Sequence, residues 1–396
     1  MNTTEITSKY ADEMITLRRQ IHEHPELSNR EFETTALIRE KLTEYGIEIA
    51  GIGLKTGVVG ILRGGHPGKT VAIREDIDAL PMEEQTGLPF ASKNPGVCHS
   101  CGHDIHTSVL LYCARVLAEI REELHGNVMF LFQPAEETGT GAKQLIECRF
   151  MEVLKPDVFI GLHTGTAFPV GTIGVKKGPA GGSSDTFHIT VTGKGGHGAH
   201  PENFVDPIMV SAFILTQLQT IVARENYPMN PGVLTVGTIQ GGTAANIVPD
   251  SVRMSGTIRA LDTKTRKSMQ DSIDRIVKSC SEALRAKGEV QWDYGMPPLV
   301  NSDEVVDQLI ASAEKIIGCD HITMIANPSM GSEDFSCLFP EYAPGAQFSL
   351  GTCDPENPET KHGIHNGKNV FDDRCIPTGA AVLVQFTRDF LSKPQL

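Results

Sequence analysis

The sequence predicts an α/β chain in which a larger domain is interrupted by a smaller one, and three observations predict it. Short apolar runs bounded by Gly, Pro or Asp alternate with helix-period segments over the first half of the chain. The middle changes to strands of alternating polarity in the order βαββαβ, the ferredoxin-like split βαβ unit. After Pro297 and Pro298 the first style returns. The domains are therefore placed at 1–184 and 297–396 for the larger, catalytic unit and at 185–296 for the insert.

In order along the chain, an amphipathic helix runs through Leu17, and a second occupies 30–45 and stops at Gly46, as helices do at a residue that tolerates positive φ. Apolar runs at 58–62, 71–73, 128–132 and 158–162 read as strands of a largely buried sheet, with a helix at 107–124 between the second and third. In the insert, FHITVTG (187–193) alternates as a strand, 206–224 is a helix, and 232–240 and 251–260 are strands with a Gly241-Gly242 turn region between them. A helix over 262–285 and a strand over 289–294 complete it. The last part holds a helix near 305–317, a strand around 346–351 and a closing helix near 378–391.

The length of 396 residues suits two domains with a sizeable core. A formal charge of -14 with no Lys/Arg cluster argues against nucleic acid and anionic membrane as partners and for a small molecule. The N-terminus has no basic start followed by an apolar core, and no unbroken apolar run is long enough to span a bilayer. Nine scattered cysteines argue against a disulfide framework, which places the chain in the cytoplasm with reduced thiols.

The densest chemistry is CHSCGHDIH, Cys98 to His106. Cys98 and Cys101 form a C-x-x-C with no second pair at structural-zinc spacing, so Cys98 reads as a buried bystander. Cys101 and His103, two apart on one side of an extended segment, both reach a metal on this reading. Glu136 and Glu137 follow the run at 128–132, at the strand end where open α/β sheets bind ligands. Adjacent acids there can divide labour, one on a cation and one free as general base. The strand at 158–162 ends in His163, and the loop after 346–351 holds His362 and His365. Thiolate, imidazole and carboxylate together suit Zn, Mn, Co or Ni better than Mg or Ca. Asp76 and Asp78, after the run at 71–73, read either as groups orienting those ligands or as an acidic loop. Arg259, at a strand end, is a candidate for a substrate carboxylate or an ordinary surface ion pair.

Nine ordered motifs then carry a resemblance over essentially the whole chain: HPELSNREFET, AIREDIDALPMEEQTG, CHSCGHDIHT, LFQPAEETGTGA, GLH, GKGGHGAHP, GGTAANIVPD, GSEDFS and IHNGKNVFDD. The chain resembles the M20 metallopeptidases, in the branch of aminoacylases, hippurate hydrolases and auxin-conjugate hydrolases. The resemblance implies a metallopeptidase-type α/β catalytic domain with the insert as a lid and dimerisation surface. It implies two divalent transition-metal ions bridged by Cys101 and completed by His103, Glu137, His163 and His365, with Glu136 as the base. His197, in GGHGAHP, matches the lid histidine that stabilises the oxyanion, and Asn246 a lid residue near the substrate that acts across a dimer.

The activity implied is hydrolysis of N-acetyl or N-benzoyl amino acids. A dipeptidase or carboxypeptidase on the same site, and a catalytically silent binder, are the rivals. Four positions depart from the family pattern: Gly367 stands where a proline follows the last ligand, Glu202 where a histidine is common, Glu75 where a small residue is common, and His200 is extra.

Overall fold

A computed structural model describes residues 2–339 and 341–392. The chain divides into two compact units, one of residues 1–178, 301–326 and 337–396, the other of 179–300 and 327–336.

The first unit is built on an eight-stranded mixed sheet among the described residues. Its spatial order is Glu48–Ile49, Val58–Arg63, His125–Gln133, His66–Asp76, Val158–Pro169, Gly345–Cys353, Ile173–Val175 and Ile322–Met324. The three central pairings, from His125–Gln133 through to Gly345–Cys353, are parallel. Their interior runs, such as Val71, Ala72 and Ile73, are fully buried, which explains why these strands read as continuous apolar runs rather than alternating ones. Helix His103–Glu119 buries nearly its whole surface, and helices Ala11–Glu23 and Cys375–Leu391 pack on it.

Three local expectations change. The opening helix is two, Thr3–Ser8 and Ala11–Glu23. The strands at 71–73 and 158–162 are longer, His66–Asp76 and Val158–Pro169. The helix expected at 107–124 begins at His103, so Cys101 and His103 do not share an extended segment. Gly102 turns the chain between them at φ 92°, where a Cβ would lie 2.6 Å from the Thr164 side chain. A glycine is required there by both the backbone angle and the close approach.

In the second unit a four-stranded antiparallel sheet has the order Gly232–Gln240, Ser251–Ala260, Asp185–Thr192, Lys287–Tyr294. Helices Pro207–Thr220 and Thr263–Ala283 cover one face, burying Val210, Ile214, Leu218, Met269, Ile273 and Val277 against Phe187, Ile189 and Val191. Asp206 and Asp262 cap these helices by accepting backbone N–H groups of their first turns. The segment after Gly241-Gly242 is more than a turn: Ile247–Val248 pairs with Gly196–His197. The span Pro207–Glu225 is long and apolar enough by composition to cross a membrane, although Ser211, Thr216, Gln217, Gln219 and Thr220 keep it from being an unbroken apolar run; 33% of its window is buried.

Candidate metal centre

The candidate residues converge at the carboxyl ends of the central strands of the first unit. The strand His125–Gln133 stops at Pro134, which has no N–H to continue the ladder, and Ala135 takes φ 55°. Two carboxylates hold the turn that follows. Ala135 N–H donates to Glu31 Oε1 at 2.9 Å, Glu136 N–H to Asp78 Oδ1 at 3.1 Å, and Glu137 N–H to Asp78 Oδ2 at 3.1 Å. Three successive amides are thus satisfied by side chains, which fixes where Glu136 and Glu137 point.

Asp78 also holds the first histidine of the helix: His103 Nδ1 lies 2.9 Å from the Asp78 carbonyl and 3.2 Å from its Oδ1. This commits Nδ1 as the donor and leaves Nε2 as the free ligand atom. Asp76 and Asp78 are buried, so the acidic-loop reading is corrected. Burial works against their charge, yet His103, Arg74 and His106 hold Asp76 well below the usual carboxylate range, and the hydrogen bond from His103 lowers Asp78. Arg74 donates to Asp76 Oδ2 at 2.9 Å and Asp76 Oδ1 takes His106 Nδ1 at 2.5 Å.

The donor atoms fall into two overlapping groups. Those of Cys101, His103 and His163 lie within 4.8 Å of one another, and so do those of Cys101, Glu137 and His365, so Cys101 belongs to both. Glu136 groups with His103 and Glu137 in the same way. Cys101 Sγ is 3.5 Å from His163 Nε2, and His365 Nε2 is 3.4 Å from Glu137 Oε2. His362 lies instead 3.4 Å from Glu359. His365 is presented at φ 59° with its N–H on the Ser100 carbonyl at 3.0 Å. Gly367 explains one departure: a Cβ there would lie 2.2 Å from the Glu83 carbonyl, and the Gln85 N–H closes on the Gly367 carbonyl at 2.6 Å. A proline would collide with that loop.

The residues fit cations. His103 Nε2 and Glu137 Oε1 are buried, 3.9 Å apart, and have no hydrogen-bond partner among the described residues. Leaving such groups unpaired costs about 1–3 kcal/mol each, a cost that a shared cation removes. Burial pushes the Cys101 thiol well up, only partly offset by His103, so a thiolate at this position needs a cation beside it. Hydrogen bonding to Glu137 raises His365.

The chain belongs to Peptidase family M20/M25/M40, whose description matches residues 72–389. It is 39% identical to the N-acetyl-L-cysteine deacetylase of Bacillus subtilis, over 96% of this chain and 88% of that one. It is 41% identical to thermostable carboxypeptidase 1 of Saccharolobus solfataricus, over 93% of each. Among solved structures, a Bacillus subtilis protein described as a dinuclear metal binding peptidase from the M20 family superposes with a TM-score of 0.84 at 34% identity, covering 97% of this chain and 99% of that one.

In the second unit the M20 chain brings His197 and Asn246 together: His197 pairs with Ile247, and Gly198 N–H donates to the Asn246 carbonyl at 2.9 Å. Both side chains are exposed. Arg259 donates to Ser332 Oγ at 2.8 Å, not to a carboxylate, and burial lowers its pKa, so the surface ion-pair reading is corrected.

Reasoning from the sequence missed Glu31, Ser28 and Thr164. Ser28 donates to Asp78 Oδ2 at 2.6 Å, and Thr164 Oγ1 donates to the Cys101 carbonyl at 2.6 Å. The motif HPELSNREFET was the one signal for the first two, and it carried no role.

Proposed function

We propose that this chain is an amidohydrolase that cleaves the amide bond of N-acyl amino acids of the N-acetyl or N-benzoyl type, releasing amino acid and carboxylate. The observation that carries the reading is the convergence of Cys101, His103, Glu137, His163 and His365 beside Glu136, in a chain closely similar to a deacetylase of an N-acetyl amino acid. We take those five residues as the ligands of two divalent transition-metal ions, Zn, Mn, Co or Ni.

When bound, the cations supply Lewis-acid polarisation of the scissile carbonyl and make water more acidic. Glu136 takes the proton of the attacking water on its carboxylate as the new C–O bond forms. The Asp78 carboxylate keeps His103, Glu136 and Glu137 in place by accepting from His103 Nδ1 and from both glutamate amides. His197 donates to the carbonyl oxygen as negative charge develops on it. Glu136 then returns its proton to the amine nitrogen as the C–N bond breaks, so atoms and charge balance. Arg259 and Asn246 are assigned to the substrate's carboxylate and its surroundings.

The insert, 185–296, is assigned as a ferredoxin-like lid and homodimerisation domain, flanked by catalytic parts 1–184 and 297–396. Its strand order supports the first assignment. Exposed Ile208, Met209 and Phe213 on the helix Pro207–Thr220, Val222 in the helical turn that follows it, and Val233 and Ile239 on the edge strand Gly232–Gln240 support the second. Nine free cysteines support a reducing, cytoplasmic setting.

The similarity to a carboxypeptidase favours a second reading, peptide hydrolysis at the same site. One experiment separates the two: turnover of N-acetyl- and N-benzoyl-amino acids against unblocked dipeptides, before and after chelation, with Mn, Zn, Co or Ni restored singly. Acyl amino acids should be cut faster, with activity lost on chelation and regained with a metal. Faster cleavage of dipeptides would overturn the amidohydrolase reading, and activity indifferent to chelation would overturn the metal centre.

A further inference from the structure

Glu75 is fully buried on the strand His66–Asp76, and it departs from the family pattern, yet nothing in the proposed reaction uses it. Its Oε1 accepts the backbone N–H of Leu162 at 2.9 Å. One turn into the neighbouring helix, His106 Nε2 accepts the backbone N–H of Thr164 at 2.9 Å, with His106 itself held through Nδ1 by Asp76. These two amides flank His163.

The reason for the arrangement lies in the sheet. The ladder between His66–Asp76 and Val158–Pro169 covers only Val71 to Ile73 against Val158 to Ile160. Beyond it the edge of the Val158 strand has no ladder partner on that side among the described residues, although amides at alternate positions still point there. Glu75 and His106 take the two that follow. On the opposite edge the ladder persists, with His163 in register with Ser349. Thr164 then ties this strand end to the Cys101 carbonyl.

We propose that Glu75 is a positioning residue which, together with His106, extends the sheet edge by side chains and so sets the depth at which His163 meets Cys101. The inference rests on the reading of Cys101 and His163 as metal ligands. A buried carboxylate is costly to keep without a use, and an alanine would fill the position more cheaply. Glu75 holds the strand carrying His163, and its Oε2 lies 3.9 Å from Nδ1 of His106, which holds the next amide.

The test is titration of the full-length apoprotein with Co2+ alone, following the visible spectrum and the number of ions bound per chain. The chains compared are the wild type, Glu75→Ala, Glu75→Gln, Glu75→Asp and His163→Ala. The wild type should bind two ions. Glu75→Ala should weaken one of them by about 10- to 100-fold, the usual effect of removing a group that orients a ligand, and should shift the same Co2+ band that His163→Ala removes. Glu75→Gln keeps an acceptor oxygen and should restore both. Glu75→Asp withdraws the oxygen by one methylene at constant charge and should act in the direction of alanine, which keeps the test open if Glu75→Ala fails to fold by apoprotein thermal unfolding. Fewer than two ions on the wild type would sink the metal reading itself. Two ions on the wild type with unchanged affinities in Glu75→Asp and in any folded Glu75→Ala would overturn the role of Glu75 alone.

Discussion

The two units carry their candidate chemistry in opposite ways. In the first, the groups sit at strand ends under helices, and Asp76, Asp78, His103 and His106 are all buried, each fixed by at least one further side chain or amide. In the second, His197 and Asn246 are exposed on a two-stranded ribbon held by backbone pairing. Buried polar groups in a low-dielectric setting gain directional strength and lose it sharply when a partner is removed. Exposed ones contribute little to stability, so they can be exchanged at low structural cost. A substitution in the first unit should therefore alter metal binding or stability as well as rate, and one in the second unit rate alone.

The largest effect should come from the pair Glu136→Gln and His197→Ala. Loss of the base should lower kcat by about 10²- to 10⁴-fold. Loss of an oxyanion donor should lower it by about 10²- to 10³-fold. His197→Ala should leave metal content and Tm at wild-type values, as metal analysis and calorimetry would register. A shift in either would break the contrast between the units.

A smaller effect is expected for Asp78→Ala, which removes the acceptor of two amides of the Glu136 turn and the second of two acceptors at His103 Nδ1, leaving it the backbone carbonyl. Metal affinity should fall about 10- to 100-fold, read by competition with a chromophoric chelator. Unchanged affinity would mean that the helix and the backbone carbonyl at position 78 suffice to place His103.

The smallest effect concerns pH and stability. Burial opposes charge on His22, but Asp104, 2.7 Å from its Nδ1, outweighs it and raises the pKa above the ordinary value. A base that holds its proton more tightly when folded contributes fully below its unfolded pKa, about 6.5, and loses the contribution as pH rises through the folded value. Asp104 has the opposite sign: burial works against its charge, Arg18 and His22 lower its pKa, and its contribution is lost only as pH falls below the ordinary carboxylate range. Unfolding free energy of wild type minus His22→Gln should therefore be about 1.5–3 kcal/mol near pH 6 and smaller at pH 9, by denaturant titration. A difference that grows with pH would show that His22 is neutral in the fold.

Much of the site could be read from the chain because four of the five candidate ligands lie at a recognisable strand end or helix start: Glu137 after 128–132, His163 after 158–162, Cys101 just before the helix and His103 at its first position. The errors are equally specific. Gly102 was invisible as a turn because its left-handed angle matters only once Thr164 lies against it. Glu31 carries no local signal of its role because its partner, Ala135, is 104 positions away. Arg259 admits two roles by sequence, and only its hydrogen bond to Ser332, 73 positions away, sets the ion-pair role aside.

By itself the sequence determined most of the element types and the family and pointed to the candidate ligands, since periodicity, strand-end position and motif order are local properties that a chain carries with it. Tertiary structure alone decided which atoms meet. Side chains distant in sequence, among them Glu31, Glu75 and Asp78, close hydrogen bonds on backbone amides of other segments, and a buried amide accepts whatever acceptor the fold delivers to it.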